Sequence, residues 1–257
     1  MQYTYPIGYG VTELEDLIHR WRLGIESSTA QYLCFPAHRD IAAPVPFFGN
    51  IGGRKVCLFT VGTNPDVREF LDEDGNPYET PRFFNPKRFI GSWSVNSLFK
   101  ACSEYFVTNP NTAFFGGMGS GEALEGVVNL LDASYYDTRD YGRQAVHLNI
   151  MPYPTIEPYD EFRKEHPDEA EKYITKDGVP LVISLASQYS PALVLCFGKE
   201  ACERLLGEPA GDVTVDGKPY QYYKGRIAKS RAFGISAAPG ELSVSDWKSG
   251  ILPLMNI

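Results

Sequence analysis

The sequence predicts an α/β domain built around a mainly parallel sheet. Short apolar runs at 55–61, 144–152 and 191–198 alternate with segments of helical period, and that alternation is the pattern of βαβ units. No low-complexity linker and no internal repeat divides the 257 residues, so the chain reads as one domain over 1–257, with residues 1–54 as an N-terminal extension packed on it. At 43% hydrophobic and 22% charged, the composition supplies a core without approaching a membrane protein's.

The elements follow in order. "VTELEDLIHRWRLG" predicts a helix: Thr12 and Glu15 have capping-box spacing, Leu14, Leu17, Ile18 and Trp21 share a face, and Gly24 ends it. Residues 35–53 are rich in Pro and Gly and read as irregular. The run 55–61 is a buried strand, and 72–92 is again rich in turns. "SVNSLFKACSEYF" (94–106) and "GSGEALEGVVNLLDASYY" (119–136) read as helices. "QAVHLNIMP" is a second buried strand. The acidic stretch 157–177 reads as a solvated excursion. "VPLVISLASQYS" is a helix, "PALVLCFG" a third strand, and "KEACERLLG" the helix after it. From 211 to 236 the pattern alternates about an Asp216-Gly217 turn, which predicts a hairpin.

No apolar stretch reaches the ~20 residues of a membrane helix, and MQYTYPIGYG lacks the features of a signal peptide. The expected location is cytoplasmic. The five cysteines, Cys34, Cys57, Cys102, Cys196 and Cys202, are odd in number, scattered and without a CxxC pair, so neither a disulfide framework nor a zinc ribbon is expected. Cys57 and Cys196 lie inside apolar runs and read as small core residues.

In open α/β sheets, ligands bind beyond the carboxyl ends of the strands. Those ends fall at Gly62–Asp66, Asn149–Pro152 and Gly198, with a fourth near Gly234–Pro239. The first carries "VGTNPD" and the second "VHLNIMP", so two buried runs each deliver an asparagine. Asn64 alone reads as a turn residue before Pro65, and Asn149 alone as a cap on its strand end. Together they form a pair of amides able to donate and accept at neighbouring strand ends.

These segments resemble the uracil-DNA glycosylase superfamily, nearest the thymine-DNA (mismatch-specific) and single-strand-selective branches. "VGTNPD" resembles the first motif, "AVHLNIMP" the strand whose Asn reads the flipped base, and "PALVLCFGKEACERLL" the strand–helix pair that follows. The likeness spans about residues 55–240. It implies a three-layer α/β/α fold with a central, mostly parallel, four-stranded sheet. It also implies a monofunctional, cofactor-free glycosylase that hydrolyses the N-glycosidic bond of a flipped, uracil-like or modified base in DNA. Extruding the base costs a few kcal/mol, and the pocket reads its Watson–Crick edge.

The resemblance assigns roles. Asn64 orients the attacking water, since an amide is no general base near neutral pH. Gly62 and Thr63 offer backbone N–H groups to the anionic leaving base, and Asn149 reads the base. In "PRFFNPKRF", Phe84 is the choice for the ring that stacks on it, among Phe83, Phe84 and Phe89. The chain departs from most of the family near its C-terminus, where "FGISAAPGELS" puts Ser236 in place of a His that stabilises the leaving base. Ser236 with Ala237 and Ala238 forms a lining of small residues there.

The remaining features add little chemistry. His19, His38 and His166 lie outside these motifs. His147 shares a strand face with Asn149 and reads as a satisfied core residue or a partner of that amide. No HExxH or Cys/His cluster predicts a metal site. "GMGSGEA" is no nucleophile elbow, and "FFGGMGSGEALEG" lacks the Gly-Lys-Ser/Thr ending of a P-loop.

The net charge of −8 argues against a protein that coats nucleic acid. Within it, however, "KPYQYYKGRIAKSR" (218–231) and "TPRFFNPKRFIGSWSVNSLFK" (80–100) are basic and aromatic without an acid. Lys87, Arg88, Lys224, Arg226, Lys229 and Arg231 are therefore the candidate DNA contacts, against the alternative of a solvated strand face. Two other functions stay open: a catalytically silent module that recognises a modified or extruded base, and an enzyme that processes small nucleotides.

Overall fold

The structure is a computed structural model, and it describes residue 16 and residues 34–35, 40–41, 44–52, 56–70, 95–112, 114–118, 121–136, 140–155 and 158–255. The helix expected over 12–24 lies outside these residues apart from Asp16, which is helical.

The central strand is β1 (Val56–Gly62). After it come helices α1 (Val95–Ser103), α2 (Tyr105–Thr108) and α3 (Ala123–Asn129), then β2 (Ala133–Ser134) and β3 (Arg143–Asn149). Helices α4 (Tyr159–Glu165), α5 (Pro167–Tyr173) and α6 (Val179–Tyr189) lead to β4 (Leu193–Phe197) and α7 (Lys199–Leu206). Strands β5 (Gly211–Val215), β6 (Lys218–Ile227) and β7 (Ser230–Ile235) close the sheet. The seven strands lie in the order β2-β3-β1-β4-β7-β6-β5. Strands β2, β3, β1, β4 and β7 run parallel; β6 and β5 are antiparallel additions at one edge. No helix among the described residues is long and apolar enough to cross a membrane.

The three apolar runs form the middle of the sheet as expected, and for the expected reason. A parallel strand covered on both faces has no solvent side, so its sequence is continuously apolar. Leu58, Phe59, Val61, Val146, Leu148, Val194, Leu195 and Cys196 are all buried. Cys102 and Cys202 are buried thiols as well.

The expected count of four strands is corrected to seven. The hairpin expected about Asp216-Gly217 is present, β5 paired with β6, and the alternating region 211–236 extends beyond it. Its two turns join three strands, and β7 pairs in parallel with β4, so the ribbon continues the sheet. Asp216 and Gly217 both have positive φ, 48° and 77°, as a two-residue hairpin turn requires. The remaining strand, β2, falls inside the expected helix 119–136. That helix ends at Asn129 because Glu125 is not on a solvated face. Its buried carboxylate accepts hydrogen bonds from Ser134 Oγ (2.6 Å) and the Tyr135 N–H (3.0 Å), which draws the chain back across the helix. The helix expected over 94–106 divides into α1 and α2, with Leu98, Cys102, Tyr105 and Phe106 buried.

The acidic stretch is corrected too. It is α4, α5 and a π-type turn, Ile174–Gly178. Phe162 on α4 is buried, as are Ala170 and Ile174, which stand at the four-residue spacing of a helix face, while Arg204 pairs with Glu171 on the outside. The turn matters to the sheet edge. A Cβ on Gly178 would lie 1.8 Å from the Ile150 carbonyl oxygen, immediately after β3. Gly178→Ala therefore forces backbone apart, and we expect it to cost about 1–3 kcal/mol of stability, read by urea denaturation.

Candidate functional site

Parallel strands end at one edge. Here that edge carries Gly62 (β1), Asn149 (β3), Gly198 (after β4) and Ser236 (after β7), with Gly62 directly opposite Asn149. The ladder continues past the strands: the Ile150 N–H donates to the Gly62 carbonyl (3.0 Å) and the Met151 N–H to the Thr63 carbonyl (2.8 Å). These bonds clamp the Gly-Thr-Asn-Pro turn against the segment after β3. Asn64 is half-buried in that turn, and its Nδ2 donates to Thr155 Oγ1 at 3.1 Å. Its Oδ1 accepts no hydrogen bond from the described residues, so it is the group left for water or a ligand.

Asn149 differs. It is 0% exposed, and among the described residues neither its Oδ1 nor its Nδ2 has a hydrogen-bond partner. Next to it, His147 Nε2 is also buried and unpartnered. Register explains the grouping. Thr60 lies opposite His147 and Gly62 opposite Asn149, so all four share one face of the sheet. Gly62 makes room for them: a Cβ there would lie 3.1 Å from Asn149 Oδ1 and 3.4 Å from His147 Nε2. The two side chains thus lie over a bare backbone, adjacent to each other but outside hydrogen-bond geometry. An unpaired buried polar atom costs about 1–3 kcal/mol. Three such atoms at one strand end are expensive to keep without a ligand.

The other nitrogen of His147 is satisfied. Nδ1 lies 2.9 Å from Thr60 Oγ1, which lies 2.6 Å from the Tyr135 hydroxyl. Phe48, Phe114 and Phe115 surround the imidazole, with ring centroids at 6.2, 5.6 and 5.3 Å. Burial among these rings pushes the His147 pKa down to about 3, a shift that the neighbouring Asn149 amide opposes. The ring is neutral at any ordinary pH.

The segment after Asn64 builds one wall. Asp66 caps the Val67–Glu69 turn, and buried Glu69 accepts from the Tyr105 hydroxyl and, at 3.4 Å, from the Phe114 N–H. Glu69 thus holds half-buried Phe114 beside His147, with the Arg68 guanidinium 5.9 Å above the ring. Segment 44–52 closes the free side of β3, where Phe48 and His147 exchange backbone hydrogen bonds of 2.8 and 3.0 Å.

The candidates from sequence separate into four groups. Gly62, Thr63, Asn64 and Asn149 come together. Phe84, Lys87 and Arg88 lie outside the described residues. Ser236 stands at the same edge but two strands further from Asn149 than β1. Its N–H donates to Gln221 O and its Oγ accepts from Gln221 N–H, both 2.8–2.9 Å, so it is tied to β6. The basic ribbon runs the other way. Arg226 and Arg231 face each other beside the β6–β7 turn that carries Lys229, and Arg231 is level with Leu193, the first residue of β4. These three residues stand at the amino edge of the parallel strands, opposite Asn64, and Lys224 lies midway with its ammonium 5.4 Å over Tyr222. The sequence-based picture of this segment flanking the site is corrected accordingly: β6 is antiparallel, which carries its charges away.

Four participants were missed: Thr155, Phe114, Thr60 and Tyr135. Only Thr60 had a readable signal, the shared alternation of Thr60/Gly62 and His147/Asn149. No protein-family model matches the chain, and no curated protein matches it.

Proposed function

We propose that the chain is a DNA glycosylase of the uracil-DNA glycosylase type, hydrolysing the N-glycosidic bond of an extruded uracil-like or modified base. The observation that carries this reading is the Asn149 carboxamide, fully buried and unpartnered, one strand from the half-buried Asn64. A planar base with a hydrogen-bonding edge satisfies such an amide bidentately. Asn64, held through Nδ2 by Thr155, keeps Oδ1 to orient water. Its contribution is position rather than proton abstraction. Phe84 remains the proposed stacking ring, and Phe114 is a second aromatic face, packed against His147. Lys87 and Arg88 remain the proposed phosphate contacts, whereas Arg226, Lys229 and Arg231 are too far round the sheet to serve the same nucleotide.

That last arrangement, with the net charge of −8, favours a second reading: a free nucleoside or nucleotide as substrate. One panel separates the two. Single-stranded and duplex oligonucleotides carrying uracil, hydroxymethylated and glucosylated bases are assayed for abasic sites, beside the matching nucleosides. Abasic product from an oligonucleotide supports the glycosylase; release from nucleosides only supports the second reading. Tight binding with no product on any substrate would leave a silent recognition module. In the glycosylase case Asn64→Ala lowers base release at least about 10²-fold while oligonucleotide binding survives. Full activity in that variant would remove Asn64 from the mechanism.

A further inference from the structure

Asn149 and Asn64 account for reading and water, but the chain Tyr135–Thr60–His147 has no task in that scheme. Its proton order can be worked out. Tyr135 is 1% exposed, and its hydroxyl has Thr60 Oγ1 as its hydrogen-bond partner. A buried phenol donates its proton when an acceptor is within reach, so Tyr135 donates to Thr60. The single Thr60 proton then goes to His147 Nδ1 at 2.9 Å; the alternative acceptor, the Val146 carbonyl, is at 3.5 Å. A neutral imidazole that accepts at Nδ1 carries its hydrogen on Nε2. That N–H is buried, unpartnered and next to Asn149 Oδ1 over Gly62.

We propose that His147 Nε2–H donates to a carbonyl oxygen of the extruded base, beside the groups offered by Asn149, with Thr60 and Tyr135 as positioning residues that fix the tautomer. The assignment rests on the glycosylase reading above. In the reaction, the C1′–N bond breaks and its electron pair stays with the base. Water forms the new C1′–O bond, and the proton it releases ends on the departed base. Negative charge builds on the base carbonyl before that proton arrives, and a preorganised neutral N–H stabilises it without transferring a proton. An imidazole held neutral by its aromatic surroundings suits this task, because it needs no change of protonation during the cycle. The donor thus comes from the strand that reads the base, in a chain whose C-terminal loop offers Ser236 already bound to Gln221.

The test combines kinetics with ¹⁵N NMR of ring-labelled histidine, on the full chain. The wild type should show His147 as the Nε2–H tautomer. Thr60→Val should shift that ring toward a tautomer mixture and lower kcat about tenfold, with KM little changed. His147→Phe, which keeps the aromatic packing, should lower kcat about 10²-fold on the substrate found in the oligonucleotide panel and leave binding of the abasic product unchanged. If His147→Phe does not fold, Thr60→Val and the wild-type spectrum still decide. A wild-type Nδ1–H tautomer, or unchanged kcat in His147→Phe, overturns the assignment while leaving the glycosylase reading in place. A wild type that releases no base from any oligonucleotide overturns that reading, and the assignment with it.

Discussion

If the chain is the glycosylase proposed above, Asn149→Ala should abolish base release, by at least about 10³-fold, without weakening the folded protein. The two halves of that expectation have one cause. In most cores, truncating a buried amide breaks hydrogen bonds and leaves their partners stranded, which costs stability. Here the amide has no hydrogen bond of ordinary geometry to break among the described residues: Oδ1 and Nδ2 are both buried, and the nearest polar neighbour is His147. Removing them relieves a desolvation cost, which offsets the small void left behind, so the melting temperature should stay within the equivalent of about 1 kcal/mol of wild type. The functional loss combines a bidentate contact with the base, about 1–3 kcal/mol, with a hydrogen bond to the departing anion, commonly about 10²–10³ in rate. Thermal denaturation beside an abasic-site assay reads both. A variant that loses activity and several degrees of melting temperature together would mark Asn149 as a structural residue.

The same residues show how far the sequence could be read. Gly62, Asn64 and Asn149 were legible because buried parallel strands are continuous apolar runs, and their carboxyl ends are where polar residues interrupt the run. Beyond the alternation that sets Thr60 with Gly62 and His147 with Asn149, nothing local marks the rest. The Thr60–Tyr135 and Thr60–His147 bonds join residues 75 and 87 positions apart, and Thr155 reaches Asn64 across 91. His147 reads from sequence as a satisfied core histidine or a partner of Asn149, and each covers half of it: Nδ1 is satisfied by Thr60 while Nε2 lies unsatisfied beside that amide, a distinction that register creates and composition cannot carry. The basic ribbon misled for a topological reason. Charge clustering in 218–231 is visible in the string, but the direction of β6 relative to β7 decides which sheet edge receives it. The acidic stretch misled because surface charge masked the buried Phe162, Ala170 and Ile174 beneath it.

Acid should destabilise the protein through His147, and His147→Phe should remove that share. The ordinary histidine value is 6.5, and burial in the fold lowers it to about 3. At pH 8 the ring is neutral in both folded and unfolded chains and contributes no pH dependence. As pH falls through 6.5 the unfolded chain binds a proton that the folded one refuses, so stability declines by about 1.4 kcal/mol per pH unit. The decline continues until the pH reaches the folded value near 3. At pH 5 the loss amounts to about 2 kcal/mol relative to pH 8. Asp246, whose pKa the Ser243 hydrogen bonds lower, loses its own contribution only at more acid pH, so the informative quantity is the difference between the two proteins at pH 8 and pH 5. Urea denaturation of wild type and His147→Phe at pH 8 and pH 5 isolates it. The variant should gain on the wild type by about 2 kcal/mol between the two conditions. Equal slopes would mean that the imidazole is protonated in the folded state, which is incompatible with a neutral Nε2–H donor held among Phe48, Phe114 and Phe115.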